Sequence, residues 1–158
     1  MSAVLVTGGA GYIGSHTVLA LLENGTDVVV VDNFSNSSPE SLTRVAQIAG
    51  KPPIVIEGDI TDREKVKKVF QGNLNISSVI HFAALKAVGE STEYPLKYYH
   101  NNVSGSVILL DEMKRAGVEE LVFSSSCTVY GEPGKVPISE DFPVGNVSSP
   151  YGRTKYMM

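Results

Sequence analysis

Two groups of residues in this chain have the types and spacing to do chemistry. The first lies near the start, where Val4 to Gly14 reads VLVTGGAGYIG. Its glycines fit two overlapping patterns, one through Gly9, Gly11 and Gly14 and one through Gly8, Gly11 and Gly14. In such a turn the first glycine permits the tight reversal and the middle one lets backbone approach a pyrophosphate. The last allows helix and strand to pack closely, while the free N–H groups of the helix start face the phosphates. A glycine triplet by itself also fits a plain structural turn. Here a strand-like run precedes it, a helical pattern comes after it, and Asp32 ends the next strand-like run, 18 residues beyond Gly14. Asp32 can accept hydrogen bonds from an adenosine ribose and would repel a 2′-phosphate. No Lys or Arg occurs between Asp32 and Thr43 to receive one. The expected ligand is NAD rather than NADP.

The second group is SSSCTVYG at Ser124 to Gly131, followed by SPYGRTKY at Ser149 to Tyr156. Tyr151 and Lys155 are four residues apart and share a face if the segment is helical. The serines close a strand-like run, at the carboxyl edge where open α/β sheets bind ligands. A tyrosine of ordinary pKa, about 10, must lose several units to act as a base near pH 7. A cation about 4 Å away, in a site of effective dielectric about 20, offers about 4 kcal/mol, or about 3 units. A lysine plus an oxidised nicotinamide could supply that. In this reading Tyr151 takes a hydroxyl proton as hydride leaves the same carbon, and Ser126 holds the oxygen.

Behind these groups must stand elements that place them. Short runs rich in Val and Ile lie at Val4 to Val6, Val28 to Asp32, Ile54 to Glu57, Val79 to Phe82 and Leu121 to Ser124. Their nearly continuous apolar character predicts parallel strands covered on both faces. Helical patterns separate them. The first is expected to turn Ile13, Thr17, Ala20 and Leu21 inward. The third carries Val66, Val69 and Phe70 behind a Thr61-Asp62 cap. The fourth lines Tyr99, Val103, Val107 and Leu110 along one stripe and ends near Gly117. Five βα units in succession predict a doubly wound α/β sheet, a Rossmann-like NAD-binding domain over residues 1–158. From Gly131 to Pro150, four prolines and three glycines read as one long surface loop.

Composition narrows the function classes. With 158 residues, 42% hydrophobic and 19% charged, the chain has the make-up of a soluble globular protein. The net charge of −4, without a basic run, argues against nucleic acid or an anionic membrane as partner. No apolar stretch approaches the ~20 residues of a membrane span, and no signal-like segment opens the sequence. Cys127 is the single cysteine, which fits a reducing compartment, so the expected location is cytoplasmic. No spacing of His, Asp, Glu and Cys suggests a metal site. His16 reads as packing or phosphate-adjacent, His81 as buried in a strand and His100 as solvent-facing. The charged run Arg63 to Lys68 reads as a solvated helix face.

Together the segments TGGAGYIGSHT, DNFSNS, GDI, HFAALKAVGES, YYHNNV, FSSSCTVYG and SPYGRTK resemble the UDP-glucose 4-epimerases, isomerases among the extended short-chain dehydrogenase/reductases. The resemblance implies roles for residues along the whole chain. Gly8, Gly11, Tyr12, Ile13 and Gly14 would lie on the pyrophosphate, and Asp32, Asn33, Asn36 and Ser37 would hold the adenosine ribose. Asp59 and Ile60 would flank the adenine. Phe82, Ala83 and Lys86 would border the nicotinamide half, with Asn101 and Ser124 nearby. Ser126, Tyr151 and Lys155 would be catalytic, and Lys86, Ser126 and Tyr151 would also meet the sugar nucleotide. The implied reaction interconverts UDP-glucose and UDP-galactose: hydride leaves carbon 4 of the hexose for NAD and returns to the other face. Family members are homodimers of about twice this length, whose remaining half supplies most of the sugar-nucleotide pocket. The expectation is therefore that this chain alone binds NAD weakly and turns over little UDP-sugar. Cys127 stands where the family usually has alanine, and Ala84 where glycine is common. Two other readings remain: a different nucleotide-sugar epimerase or decarboxylase of the superfamily, and a non-catalytic NAD-binding module. The absence of an acidic pair at Cys127-Thr128-Val129 and the presence of HFAALKAVGES count against the first.

Overall fold

The computed structural model describes residues 2–158. The chain divides into two compact units, one made of the chain up to Ala83 together with Val107–Ser124, the other of Ala84–Ser106 and Ser125–Met158. The first unit holds all five strands: β1 (Ala3–Thr7), β2 (Asp27–Asp32), β3 (Ile54–Glu57), β4 (Ile76–His81) and β5 (Glu120–Phe123). All four pairings are parallel, in the order β3-β2-β1-β4-β5. The expected doubly wound sheet is thus present. Its order reverses beside β1, between β2 and β4, where open α/β sheets take ligands at the carboxyl edge.

Alternation along β2 shows why its valines run unbroken. Val28 and Val30 join a core with Val6, Ala10, Val18, Leu22, Leu42 and Val45. Val29 and Val31 join the opposite one with Leu5, Val66, Val69, Val79, Leu109 and Met113. A strand covered on both faces has no polar side to show. The helices of this unit are α1 (Tyr12–Glu23), α2 (Pro39–Ala49), α3 (Arg63–Gln71) and the part of α6 (Gly105–Ala116) from Val107 onward. Local chemistry sets their starts. Ser38 caps α2 and Asp62 caps α3, each accepting a backbone N–H from the first turn, and Pro39 sits at the first helical position of α2. Val66 and Val69 are buried with Phe70 packed against them, as expected.

Two faces differ from the sequence reading. The inner face of α1 is Gly14, Val18 and Leu22, while Ile13 and Ala20 are exposed. Gly14 presses so closely on the Gly8–Gly9 turn that it fixes the rotation of the helix, and Ile13 turns outward. The stretch expected as one helix with a Tyr99, Val103, Val107 and Leu110 stripe is also broken. It consists of a π-helical turn (Tyr99–Ser104) followed by α6, and ahead of it stand α4 (Val88–Glu93) and α5 (Pro95–Tyr98). Val107 and Leu110 are exposed. The buried residues include Tyr98, Asn102 and Ser106 in the second unit and Leu109, Glu112 and Met113 in the first. Pro95 separates α4 from α5, and the wider π turn shifts the rotational phase of the residues that come after it.

The second unit also contains a 3₁₀ turn (Cys127–Tyr130) and α7 (Pro150–Met157). Between them the chain is irregular, as the proline and glycine content predicts, although Tyr130 and Phe142 meet edge to face at 6.5 Å. Among the described residues no helix is long and apolar enough to cross a membrane.

Candidate functional site

The glycine turn leaves β1 at its carboxyl end, within the first unit. Gly8 has φ +69°, and a Cβ there would fall 2.7 Å from the Ala83 backbone nitrogen. The approach comes from two hydrogen bonds, in which the Phe82 and Ala83 amides donate to the Thr7 carbonyl at 3.0 and 3.1 Å. Gly8, Phe82 and Ala83 are therefore brought together. The Thr7 hydroxyl lies 2.5 Å from Nδ1 of His81, which is buried as expected and packs on Phe123. A Cβ on Gly14 would come within 2.2 Å of the Gly8 carbonyl oxygen, whereas at Gly11 that oxygen, at 3.3 Å, is the single near neighbour. Gly14 is the packing glycine, and Gly11 leaves room above the turn. Gly11 is the N-cap of α1 and supplies no side-chain cap, and the first turn carries no acidic residue. The leading amides of α1 are thus offered to an anion rather than to the protein's own side chains.

Asp32 is 8% exposed at the end of β2. Its Oδ2 accepts from the Ala10 amide at 2.9 Å, and its Oδ1 from the Phe34 amide at 2.9 Å and the Ser37 hydroxyl at 2.8 Å. The carboxylate therefore fixes both the glycine turn and the loop after β2, in which Phe34 has φ +53°. Asn33 reaches across that loop and donates to Oδ2 of Asp59 at 2.8 Å, while Asp59 Oδ1 accepts from the Thr61 amide and hydroxyl. Ile60 is buried; Asn36, Tyr12 and Ile13 are exposed. So Asp32 pairs with Ser37, and Asn33 with Asp59, at the ends of β2 and β3. A buried acid, an uncapped helix start and a cradle that a Cβ would fill fit a dinucleotide.

The second unit holds the other candidates. Ser149 caps α7, its Oγ accepting from the Gly152 amide at 3.1 Å, and Pro150 takes the first helical position. Tyr151, Thr154 and Lys155 are all buried, so the tyrosine and lysine share a face as their spacing predicts. Burial lowers the Lys155 ammonium from its ordinary range to about 8. Ser126 caps the 3₁₀ turn: its Oγ accepts from the Thr128 amide at 3.3 Å and the Thr128 hydroxyl at 3.0 Å. Two acceptor positions taken in this way leave the serine O–H to donate elsewhere. Thr128 also packs on α7, since a Cβ on Gly152 would stand 3.3 Å from the Thr128 Cβ and 2.9 Å from Val147. Gly152 is what lets the serine turn and the Tyr151 helix approach.

Residues that the sequence reading did not single out hold this half together. Asn102 is buried; its amide nitrogen donates to the Leu85 carbonyl at 2.9 Å and to the Thr154 hydroxyl at 3.0 Å. Its Oδ1 accepts from the Leu85 amide at 2.8 Å and from Asn101 at 2.9 Å. Tyr98, fully buried, accepts from the Ala87 amide at 3.1 Å and donates to Glu90 at 2.7 Å. Burial first, and the Glu90 carboxylate second, push its phenol up to about 12. Lys97 and then Tyr98 hold the Glu90 carboxyl below its usual range. Lys86 is thus exposed on a segment pinned at both neighbours. The i, i+4 spacing of Tyr98 and Asn102 was readable, but a π turn cannot be seen in composition. Ser124 joins the first unit, its amide donating to the His81 carbonyl at 3.1 Å.

The remaining candidates have simple surroundings. His100 is exposed, and His16 is exposed with Tyr12 edge-on to it at 5.1 Å. Cys127 is free and exposed. The run from Arg63 is not wholly a solvated face: Arg63 bonds to Asp111 and, at 2.8 Å, to the buried Glu112. Among the described residues no cluster of three His, Cys, Asp or Glu side chains could hold a metal ion.

Comparison with known proteins identifies the family. Residues 4–158 match the NAD dependent epimerase/dehydratase family. The chain is 60% identical over 156 residues to UDP-glucose 4-epimerase of Haemophilus influenzae, covering 99% of this chain and 46% of that protein. It is 58% identical to the Bacillus subtilis protein of the same name, again over 99% of this chain and 45% of the relative. The crystal structure of UDP-glucose 4-epimerase from Bifidobacterium longum in complex with NAD+ and UDP superposes with a TM-score of 0.96 at 51% identity, over 99% of this chain and 46% of that one. The chain spans about half the length of the curated relatives it matches.

Proposed function

The chain belongs to the NAD dependent epimerase/dehydratase family, and from that premise we propose that it binds NAD and interconverts UDP-glucose and UDP-galactose by inversion at carbon 4 of the hexose. The observation that carries the reading is the glycine turn of the first unit, where the uncapped start of α1 stands beside buried Asp32; within the second unit, the buried face of α7 holds Tyr151 and Lys155. The cofactor half would be held by the α1 amides after Gly11, by Asp32, Asn33, Asn36 and Ser37 at the ribose, and by Asp59 and Ile60 at the adenine. Phe82, Ala83, Lys86, Asn101 and Ser124 would border its nicotinamide half. When bound, NAD supplies a reversible acceptor for the hydride of carbon 4.

The protein's own residues do the rest. Tyr151 removes the proton of the 4-hydroxyl and later returns one. Ser126, with its oxygen already accepting from Thr128, donates its O–H to the sugar oxygen and so favours the carbonyl form. Lys155, with a proton affinity near neutrality, carries positive charge at pH 7 and supports negative charge on a neighbouring oxygen. Lys86 meets the sugar nucleotide from its pinned segment. The same reading makes the protein a homodimer acting in cytoplasmic galactose metabolism. The test is direct: titrate the chain with NAD by calorimetry, then follow conversion of UDP-galactose to UDP-glucose. Saturable NAD binding, with whatever slow conversion the chain shows abolished by Tyr151→Phe, would support the reading. No binding of NAD would overturn it.

A further inference from the structure

Residue Ala10 of the glycine turn is held through both its peptide groups by side chains from other elements. On one side its amide donates to Asp32 Oδ2 at 2.9 Å. On the other, the hydroxyl of Ser41 stands 2.8 Å from the Ala10 carbonyl oxygen, across 31 residues of sequence. The same hydroxyl is 2.8 Å from the Ser38 carbonyl, but that carbonyl also accepts the Ser41 amide at 3.1 Å, so the first turn of α2 closes without the hydroxyl. Ser41 is half-buried and Ala10 is 4% exposed. The carbonyl that Ser41 meets belongs to the peptide whose other end is the Gly11 amide. That amide closes the turn on the Gly8 carbonyl at 3.2 Å, and Gly11 is the uncapped N-cap of α1. Rotation of this one peptide would redirect the leading amides of the helix. With no side-chain cap at Gly11, the Ser41 hydroxyl is a brace on that rotation from outside the turn.

We infer that Ser41 is a positioning residue for the dinucleotide. By bracing the Ala10–Gly11 peptide it keeps the first amides of α1 aimed at the pyrophosphate and ties that aim to the start of α2, directly after the ribose loop. The inference rests on the reading that this turn binds a dinucleotide. It separates two parts of the ligand, because the ribose contacts of Asp32 and Ser37 do not pass through Ser41, whereas the pyrophosphate contacts do.

The test compares the chain with Ser41→Ala and Ser41→Thr by calorimetric titration with NAD and ADP-ribose, and by NMR titration with adenosine. A hydrogen bond of ordinary net worth sets the scale, so Ser41→Ala should raise the Kd of NAD and ADP-ribose about five- to tenfold. Adenosine should stay within about twofold of its original affinity, and Ser41→Thr, which keeps the hydroxyl, should restore the dinucleotide affinity. A Ser41→Ala variant that binds NAD and ADP-ribose as before, or weakens adenosine equally, overturns the inference. Hydrogen exchange separates failure here from failure of the cofactor reading. If the unsubstituted chain binds neither NAD nor ADP-ribose, the cofactor reading falls. The brace is then judged alone: faster exchange of the Tyr12, Ile13 and Gly14 amides in Ser41→Ala supports it, and unchanged exchange refutes it.

Discussion

Replacing Gly14 by alanine tests the contact on which the glycine turn depends. The added Cβ would stand 2.2 Å from the Gly8 carbonyl oxygen, 2.8 Å from Gly9 Cα and 3.0 Å from the Gly8 carbonyl carbon. All three are backbone atoms, so no side chain can rotate away, and helix and turn must part by about 1 Å to reach ordinary van der Waals separation. That displacement opens the turn, because the Gly8 carbonyl also receives the Gly11 amide. Overpacking costs about 1–3 kcal/mol where side chains can yield; with backbone on both sides the loss should reach about 3 kcal/mol, a factor of about 100 in the folding equilibrium. Two other glycines calibrate the result. Gly50 has φ +71° in open space, so Gly50→Ala should lose about 1 kcal/mol for backbone strain alone. Gly89 lies in α4 with nothing near its Cβ direction and no positive φ, so Gly89→Ala should gain about 0.5–1 kcal/mol. Urea unfolding of the three variants, followed by circular dichroism, reads the order. If Gly14→Ala loses no more stability than Gly50→Ala, the steric reasoning is wrong.

The buried ionisable groups and Asp32 give further expectations. Lys155 has its folded pKa lowered to about 8 while the unfolded lysine keeps 10.5, so the unfolded chain binds more protons between those values and stability rises with pH there. Below pH 8 the full penalty, about 3 kcal/mol, is present; Lys155→Met should remove it, stabilising the chain at pH 7 and flattening the rise seen in urea titrations at pH 7, 8.5 and 10. Tyr98 behaves oppositely: with its phenol raised to about 12, stability should fall as pH climbs from 10 toward 12. Tyr98→Phe should abolish that alkaline fall and cost about 1–2 kcal/mol at pH 7, since the Ala87 amide and Glu90 each lose a partner. Asp32→Asn puts two N–H donors where three donors now converge, so the Kd for NAD should rise at least about tenfold by calorimetry. Unchanged affinity in that variant would remove Asp32 from the binding site.

The chemistry-bearing residues were legible because their signals are local. Glycines at fixed offsets, an acid closing the second strand, and a Ser-Pro start just ahead of a Tyr-Lys face are each short-range patterns. The structure places Asp32 at the end of β2 and Tyr151 and Lys155 on one buried face of α7. The five strands were equally plain, since a strand buried on both faces leaves an unbroken valine and isoleucine run. What escaped was rotational phase. The inward face of α1 was misjudged because hydrophobicity favours Ile13, whereas the shortest contact belongs to Gly14, whose value lies in having no side chain. The 99–110 stripe failed because a π turn cannot be seen in a pattern counted at 3.6 residues per turn.

Sequence alone determined the fold class, the strand runs and the glycine turn, and it named the side chains to weigh as candidates for a dinucleotide and a proton transfer. Tertiary structure decided the partners: Asp32 with Ala10 and Ser37, Ser41 with the Ala10 carbonyl, Thr128 with Ser126, and Asn102 between Leu85 and Thr154. The long-range bonds among these join residues 17 to 52 positions apart. Spacing along a chain fixes which faces of one element coincide, but a hydrogen bond between elements exists only once packing has set their rotation and distance, and no local pattern encodes that.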